Sequence, residues 1–181
     1  MVKLPPGYNI RHATPRDIPQ LVLIELAGNE LFAPTNLIPE DHMDDHVSIE
    51  WHQAAIEADM SIVVADADDV PAGFILVSHR EPDLYLDEIA VHPDHGRKGL
   101  GSALLTHLLG LAKADSFKSV SLSTFRKVPW NAPFYAKHGF KELSRKQWTD
   151  WMHEINAVQA ETLDVSQRCF MRRQIKRRLF S

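Results

Sequence analysis

Apolar and polar positions change period several times along the chain, and each change marks an element. The stretch "YNIRHA", residues 8–13, alternates as a half-buried strand should. In "TPRD", Thr14 reads as a helix N-cap, with Pro15 at the first helical position and Asp17 in the first turn. Ile18, Leu21, Val22, Ile24 and Leu26 then carry helical spacing to about Asn29. Residues 33–45 lose the period and read as a loop, and His46 to Asp59 as a second helix. Next come two strand-like runs, "SIVVAD" and "AGFILVSH", with turn residues between them, and a third, "LYLDEIAV", at Leu84 to Val91. Leu100 to Ala114 returns to the helical period, with Leu104, Leu105, Leu108, Leu109 and Ala112 on one side. A strand over Ser119 to Thr124 and a short helix in "NAPFYAKH", ended by Gly139, follow. The chain then reads as a strand "FKEL", a helix "WTDWMHEINAVQAETL" and a last strand "RCFMRRQI". Hairpin strands first, then strands alternating with helices, predict an α/β fold built on a mixed sheet.

Composition narrows this picture. A chain of 181 residues, 44% apolar and 24% charged, suits one soluble globular domain over residues 1–181, with a core from about 8 to 175. A net charge of −4 gives no global attraction to nucleic acid or anionic membrane. The single cysteine, Cys169, excludes an internal disulfide and suits a reducing compartment. "MVKLPPGYNI" has no apolar leader, and no run approaches the roughly 20 apolar residues of a membrane span. The expected location is cytoplasmic.

The candidate chemistry begins at "VHPDHGRKGLGSALL". A glycine turn that feeds a helix N-terminus is a natural phosphate cradle, because bare backbone N–H groups and the helix dipole both favour an anion. The order here is G-x-x-G-x-G, on Gly96, Gly99 and Gly101, and the dinucleotide fingerprint is G-x-G-x-x-G. That fingerprint also needs an acidic residue about 20 positions on, at the end of a second strand, whereas Asp115 ends the helix. A nucleotide P-loop needs Gly-Lys-Ser/Thr, and Lys98 is followed by Gly99 and Leu100. A bland corner between strand and helix is the remaining alternative, with Arg97 and Lys98 merely solvated.

The neighbouring segments favour the cradle. The strand "LDEIAV", the loop "HPDHGRKGLGSALL", the strand "VSLST" and "NAPFYAKHGF" together resemble the GNAT superfamily of N-acetyltransferases. The resemblance is strongest over residues 84–140 and looser from Tyr8 to about Ile175. It implies a mixed, mostly antiparallel sheet with helices on both faces, in which the strand before the glycine loop splays from the next parallel strand to admit the acyl-pantetheine arm of acetyl-CoA. Gly99 and Gly101 match the family's glycine positions. Gly96 stands where the family has Gln or Arg, a departure for which Arg97 would compensate with its charge. The resemblance further implies that Ile89, Ala90 and Val91 hold the thioester, and that Gly96, Arg97, Lys98, Gly99, Leu100, Gly101 and Ser102 hold the pyrophosphate. No metal is implied.

The activity implied is transfer of an acetyl group from acetyl-CoA to a primary amine by direct attack. The acceptor is expected to be a small molecule, with a peptide or protein amine second and a non-catalytic coenzyme A-binding module as the rival. Tyr135 falls where the family places a general acid near the coenzyme sulfur; a core aromatic is the bland alternative. Asn131, four residues earlier, would bond the pantetheine arm or cap its own helix. Glu88 is the candidate base, against an ordinary sheet charge. Strict alternation puts Leu86, Glu88 and Ala90 on one face of their strand, and Tyr85, Asp87, Ile89 and Val91 on the other. Glu25 and Glu30, on or just past the first helix, would bind the acceptor's cation if they are not simply solvated.

Three other features have plainer readings. His42 and His46 in "DHMDDH" have a zinc-compatible i, i+4 spacing but no evident third ligand. Arg168, Arg172, Arg173, Lys176, Arg177 and Arg178 make a basic C-terminus without a nucleic-acid motif beside it, read as a strand and a solvated tail at 176–181. Trp148, Trp151 and Met152 share one side of the penultimate helix, as core packing or as a wall of the acceptor pocket. The oligomeric state stays open, a homodimer included.

Overall fold

The structure is a computed structural model that describes residues 4–175; Lys176, Arg177 and Arg178 of the basic tail lie outside them. Among the described residues, seven strands form one sheet in the order β1-β2-β3-β4-β5-β7-β6. The elements are β1 (Asn9–His12), α1 (Ile18–Glu30), α2 (Ile49–Glu57), β2 (Ser61–Ala65), β3 (Pro71–Arg80) and β4 (Asp83–Val91). They continue with α3 (Leu100–Ala114), β5 (Ser119–Phe125), α4 (Ala132–Lys137), β6 (Lys141–Glu142), α5 (Asp150–Gln159) and β7 (Arg168–Gln174). All strand pairs are antiparallel except β4 with β5.

The local chemistry behaves as the residue types dictate. Asp17 accepts hydrogen bonds from the Thr14 N–H at 2.7 Å and the Thr14 hydroxyl at 2.9 Å, closing the turn that leads into α1. Ser48 caps α2 by accepting from the Trp51 N–H at 3.1 Å, so this helix starts two to three residues later than its apolar period suggests. The longest predicted helix, 148–163, is trimmed at both ends to Asp150–Gln159.

Two apolar layers cover the sheet. On one face Leu100, Leu104, Leu105 and Leu108 of α3 pack against Ile75, Leu84, Leu86, Val120 and Leu122. On the other, Leu21 and Ile24 of α1 cover Val63, Phe74 and Leu76, while Met152 of α5 covers Tyr85 and Phe170. Trp148 and Trp151 join this last cluster, which settles the aromatic stripe as core packing.

The parallel β4–β5 pairing runs only from Asp83↔Ser119 to Leu86↔Leu122, after which the two strands part. Asp83 anchors its closed end. It is fully buried, accepts a hydrogen bond from the Ser119 hydroxyl and forms an ion pair with Arg172 of β7 at 2.9 Å. A buried carboxylate is tolerable only when it is so paired. The opposite end, beyond Leu86, is held open.

Candidate active site

The gap between the diverging strands is the floor of a cleft of about 790 Å³. Because β4 residues past Leu86 pair only with β3, and β5 residues past Leu122 only with β7, one backbone edge of each strand faces the gap. A hydrogen-bonding ligand can use such edges as a further strand would.

The divergence coincides with an irregularity in β4. Leu76 pairs with Glu88 and Val77 with Leu86, so Asp87 is an extra residue, a β-bulge. This corrects the strict alternation expected from the sequence. Leu86 faces α3, and so do Ile89 and Val91, whereas Tyr85 and Ala90 pack on the opposite face. Glu88 is therefore turned toward α1, away from Leu86, and it lines the cleft close enough to Glu25 for their charges to repel. Asp87 also lines the cleft, and burial pushes its carboxyl up to about 6.

Glu25 projects from α1, is 8% exposed and accepts from the Val47 N–H with both oxygens, at 3.0 and 3.1 Å. Burial pushes its carboxyl up to about 7, although the Val47 contacts lower it. Glu88 is pushed up to about 8, first by burial and then by the charge of Glu25. One Glu88 oxygen accepts from the Ile89 N–H at 3.1 Å. The result is an acid pair that holds protons near neutral pH. Glu30, by contrast, is exposed at the end of α1 and does not line the cleft, because the helix turns it outward while Asn29 before it and Leu31 after it line the cleft.

Tyr135 enters from the α3 side. It is buried on α4, packs against Phe134 and Phe140, and lines the cleft. Its hydroxyl makes no hydrogen bond to the described residues. Burial, with Glu88 adding to it, holds this phenol protonated well above its ordinary range. Asn131 stands at the N-cap position of α4 but does not cap the helix. Its amide instead donates to the Thr124 hydroxyl at 2.8 Å, which leaves its carbonyl oxygen free toward the cleft.

The glycine loop closes the other end. Arg97 (φ 57°) and Gly99 (φ 80°) take left-handed conformations and bring the chain sharply into α3. No side chain caps α3, so its first N–H groups are bare. Gly96, Arg97 and Gly101 line the cleft. The remaining side chains of the loop point elsewhere. Leu100 is buried in the core, Lys98 donates to the Tyr8 hydroxyl at 3.1 Å, and Ser102 bonds His138 at 3.0 Å. Leu100 thus has only its backbone to offer a ligand, and the Lys98 and Ser102 side chains are engaged with Tyr8 and His138. The departure at Gly96 has a steric cause: a Cβ there would lie 2.9 Å from the Pro93 carbonyl oxygen.

Sequence reasoning missed a group at the acceptor end. Phe32, Phe125 and Trp130 form an aromatic wall, with ring centroids 5.5 and 5.6 Å apart across Phe32. Arg168, read from the sequence as part of a basic strand, also lines the cleft. Phe32, the Phe125–Trp130 segment and Arg168 are far apart in the chain, and only the fold brings them together. Of the other basic residues, Arg172 pairs with Asp83 and Arg173 donates to the His138 carbonyl, so neither offers a free basic patch. His42 bonds Asp45 and His46 bonds the Val47 carbonyl; among the described residues, no cluster of three or more metal-ligating side chains exists. No helix of the described residues is long and apolar enough to cross a membrane.

Comparison with known proteins fits this geometry. The model of the acetyltransferase (GNAT) family matches residues 26–140. The chain is 25% identical over 147 residues to the uncharacterized N-acetyltransferase YafP of Escherichia coli K12, covering 78% of this chain and 86% of that protein. The PaiA N-acetyltransferase of Thermoplasma acidophilum, solved with coenzyme A, superposes with a TM-score of 0.70 at 18% identity, covering 92% of this chain and 98% of that one. N-acetylglutamate synthase of Neisseria gonorrhoeae, solved with coenzyme A and N-acetyl-glutamate, gives 0.71 at 16% identity, covering 94% of this chain and 35% of that one. An uncapped helix start behind a glycine turn, opening on two strands that part over a buried phenol, is what a bound acyl-coenzyme A needs, and with the family match the chain belongs to the GNAT family of acetyl-CoA-dependent N-acetyltransferases.

Proposed function

We propose that the protein transfers the acetyl group of acetyl-CoA to the primary amine of a small molecule, by direct attack within the cleft. The observation that carries this reading is the parting of β4 from β5 between an acid pair on one face and an unpartnered phenol on the other. A volume of about 790 Å³ is in the range of small-molecule sites.

In this reading the pyrophosphate rests on the bare N–H groups of residues 97–102, where the α3 dipole favours it. The pantetheine arm lies along the open edge of β4 at Ile89, Ala90 and Val91, and an amide of the arm donates to the free Asn131 carbonyl. The thioester carbonyl accepts from a β4 N–H, which stabilises the oxyanion as it forms. If that donor is the Ile89 N–H, the incoming carbonyl displaces the Glu88 carboxylate that now holds it at 3.1 Å. Glu88 is then free to take the proton of the acceptor's ammonium group. The amine nitrogen forms the new C–N bond, the C–S bond breaks as the oxyanion collapses, Tyr135 gives its proton to the departing thiolate, and the second proton shed by the acetylated nitrogen restores the phenol. Glu25, on the same face as Glu88, holds the acceptor cation. Tyr135→Phe tests the acid role. We expect a fall in kcat with acetyl-CoA binding retained, and an unchanged kcat would remove Tyr135 from the mechanism.

A further inference from the structure

The acceptor end of the cleft contains a positive charge that the chemistry above does not use. Arg168 opens β7 opposite Phe125, at the far end of β5. Its neighbour Cys169 packs into the layer with Tyr135 and α3, while Phe170 packs under α5. Arg168, in step with Phe170, therefore sits on the Glu25 face of the sheet, across from the glycine loop's helix.

The side chain is held stiffly. Its guanidinium lies 4.6 Å from the Phe125 ring, Nε donates to the Gln159 side chain at 3.1 Å, and Nη2 donates to the carbonyl and hydroxyl of Ser123 at 3.2 and 3.3 Å. Gln159 is itself fixed by the Ser123 hydroxyl at 2.9 Å. Every one of these partners is neutral. The arginine ion pairs among the described residues involve Arg11, Arg16, Arg126 and Arg172, and Arg168 has none. The terminal stretches outside those residues contain no acidic side chain. Nη1 is left without a hydrogen bond to the described residues, on a residue that lines the cleft. Burial also holds this guanidinium below its ordinary pKa, because the nearby acidic groups of Tyr85 and Glu88 only partly offset the cost of desolvation.

A guanidinium fixed by neutral partners and aimed into a cleft is a preorganised site for an anion. The coenzyme's phosphates cannot be that anion, because their cradle is at the other end, on the N-terminus of α3. We infer that the acceptor is an amine that also bears a carboxylate, which Arg168 binds while the amine lies at Glu25 and Glu88. The inference rests on the acetyltransferase reading given above and narrows its substrate. The aromatic wall of Phe32, Phe125 and Trp130 supplies the apolar surface between or beside the two charged ends. A carboxylate at Nη1 would complete the fork, and an acceptor without one would leave it unpaired.

Matched acceptors test this directly. Phenylalanine is compared with phenethylamine, tryptophan with tryptamine, and straight ω-amino acids from glycine to 6-aminohexanoate with the corresponding n-alkylamines. Thiol release from acetyl-CoA gives kcat/KM for each. At least one carboxylate-bearing acceptor is expected to exceed its partner by about tenfold or more, the discrimination that one charge-assisted hydrogen bond supplies. In Arg168→Gln that ratio falls to within about twofold, and in Arg168→Lys, which keeps the charge without the fork, it is intermediate. Acetyl-CoA titration by calorimetry confirms that both variants are folded; if neither is, the wild-type ratios alone decide. Carboxyl-free amines accepted as well as or better than their partners would overturn the carboxylate while leaving acetyl transfer intact. Acetyl-CoA binding with no transfer to any amine would overturn both.

Discussion

Replacing Glu88 by Gln removes the base while keeping its size, and the pH–rate profile reports the loss. In the wild-type protein Glu88 is pushed up to about 8, so at pH 6 only about 1% of molecules would have the carboxylate needed to deprotonate an ammonium. The kcat/KM profile should therefore rise about tenfold per pH unit up to about 8 and then level off. In Glu88→Gln the amine must arrive already neutral, so the break moves up to the acceptor's own pKa. The rate at pH 8 should fall by about two to four orders of magnitude, the usual range for a positioned base. Glu25→Gln should move the break the other way, downward, because the charge of Glu25 raises Glu88. Stability is linked to the same protons. Between about pH 4.5 and 8 the folded protein retains a proton that the unfolded chain has lost, so native stability falls as pH rises through this window. Glu88→Gln should lessen that fall. A Gln variant with the wild-type break and a near-wild-type rate would refute the assignment of the base.

Other perturbations probe separate parts of the account. Tyr135→Phe should lower kcat by about 10²-fold or more while the KM for acetyl-CoA stays within about twofold, measured by thiol release under saturating acceptor. Gly99→Ala places a Cβ at φ 80° and should cost about 1 kcal/mol of stability by urea denaturation, with weaker acetyl-CoA binding by calorimetry. Gly96→Gln, which restores the family residue, should destabilise the turn rather than tighten the site, because its Cβ would lie 2.9 Å from a backbone oxygen; a more stable variant with tighter binding would contradict that. Asp83→Ala leaves Arg172 without its carboxylate and should cost about 3–5 kcal/mol in the same denaturation assay.

What the sequence made legible follows from how far each signal reaches. Period and punctuation are local, so the strand at Leu84–Val91, the helix at Leu100–Ala114 and the turn at Gly99 could be placed from a few neighbouring residues. The mixed sheet followed from their order. The bulge at Asp87 could not be placed in this way: "LYLDEIAV" alternates well enough on its own, and only pairing with β3 shows that one residue is extra. That single residue decides which face Glu88 occupies and brings it beside Glu25. Asn131 was placed correctly at the start of its helix, but its side-chain oxygen makes no capping hydrogen bond there, and its amide is held by the Thr124 hydroxyl. Glu30 and Glu25 looked alike as acids on one helix, and five residues of rotation put one in solvent and the other in the cleft. Arg168 was hidden because a basic residue in a basic segment reads as solvated. Its inward turn depends on Ser123 and Gln159, one on the neighbouring strand and one on the helix above.

Amide hydrogen exchange with and without saturating acetyl-CoA tests the central claim most directly, because that claim concerns which backbone donors the coenzyme covers. The account predicts new protection at Ile89 and Val91, whose N–H groups face the open edge of β4, and at residues 97–102 on the loop and first turn of α3. Protection confined to other segments, or none at these amides despite saturated binding, would contradict it.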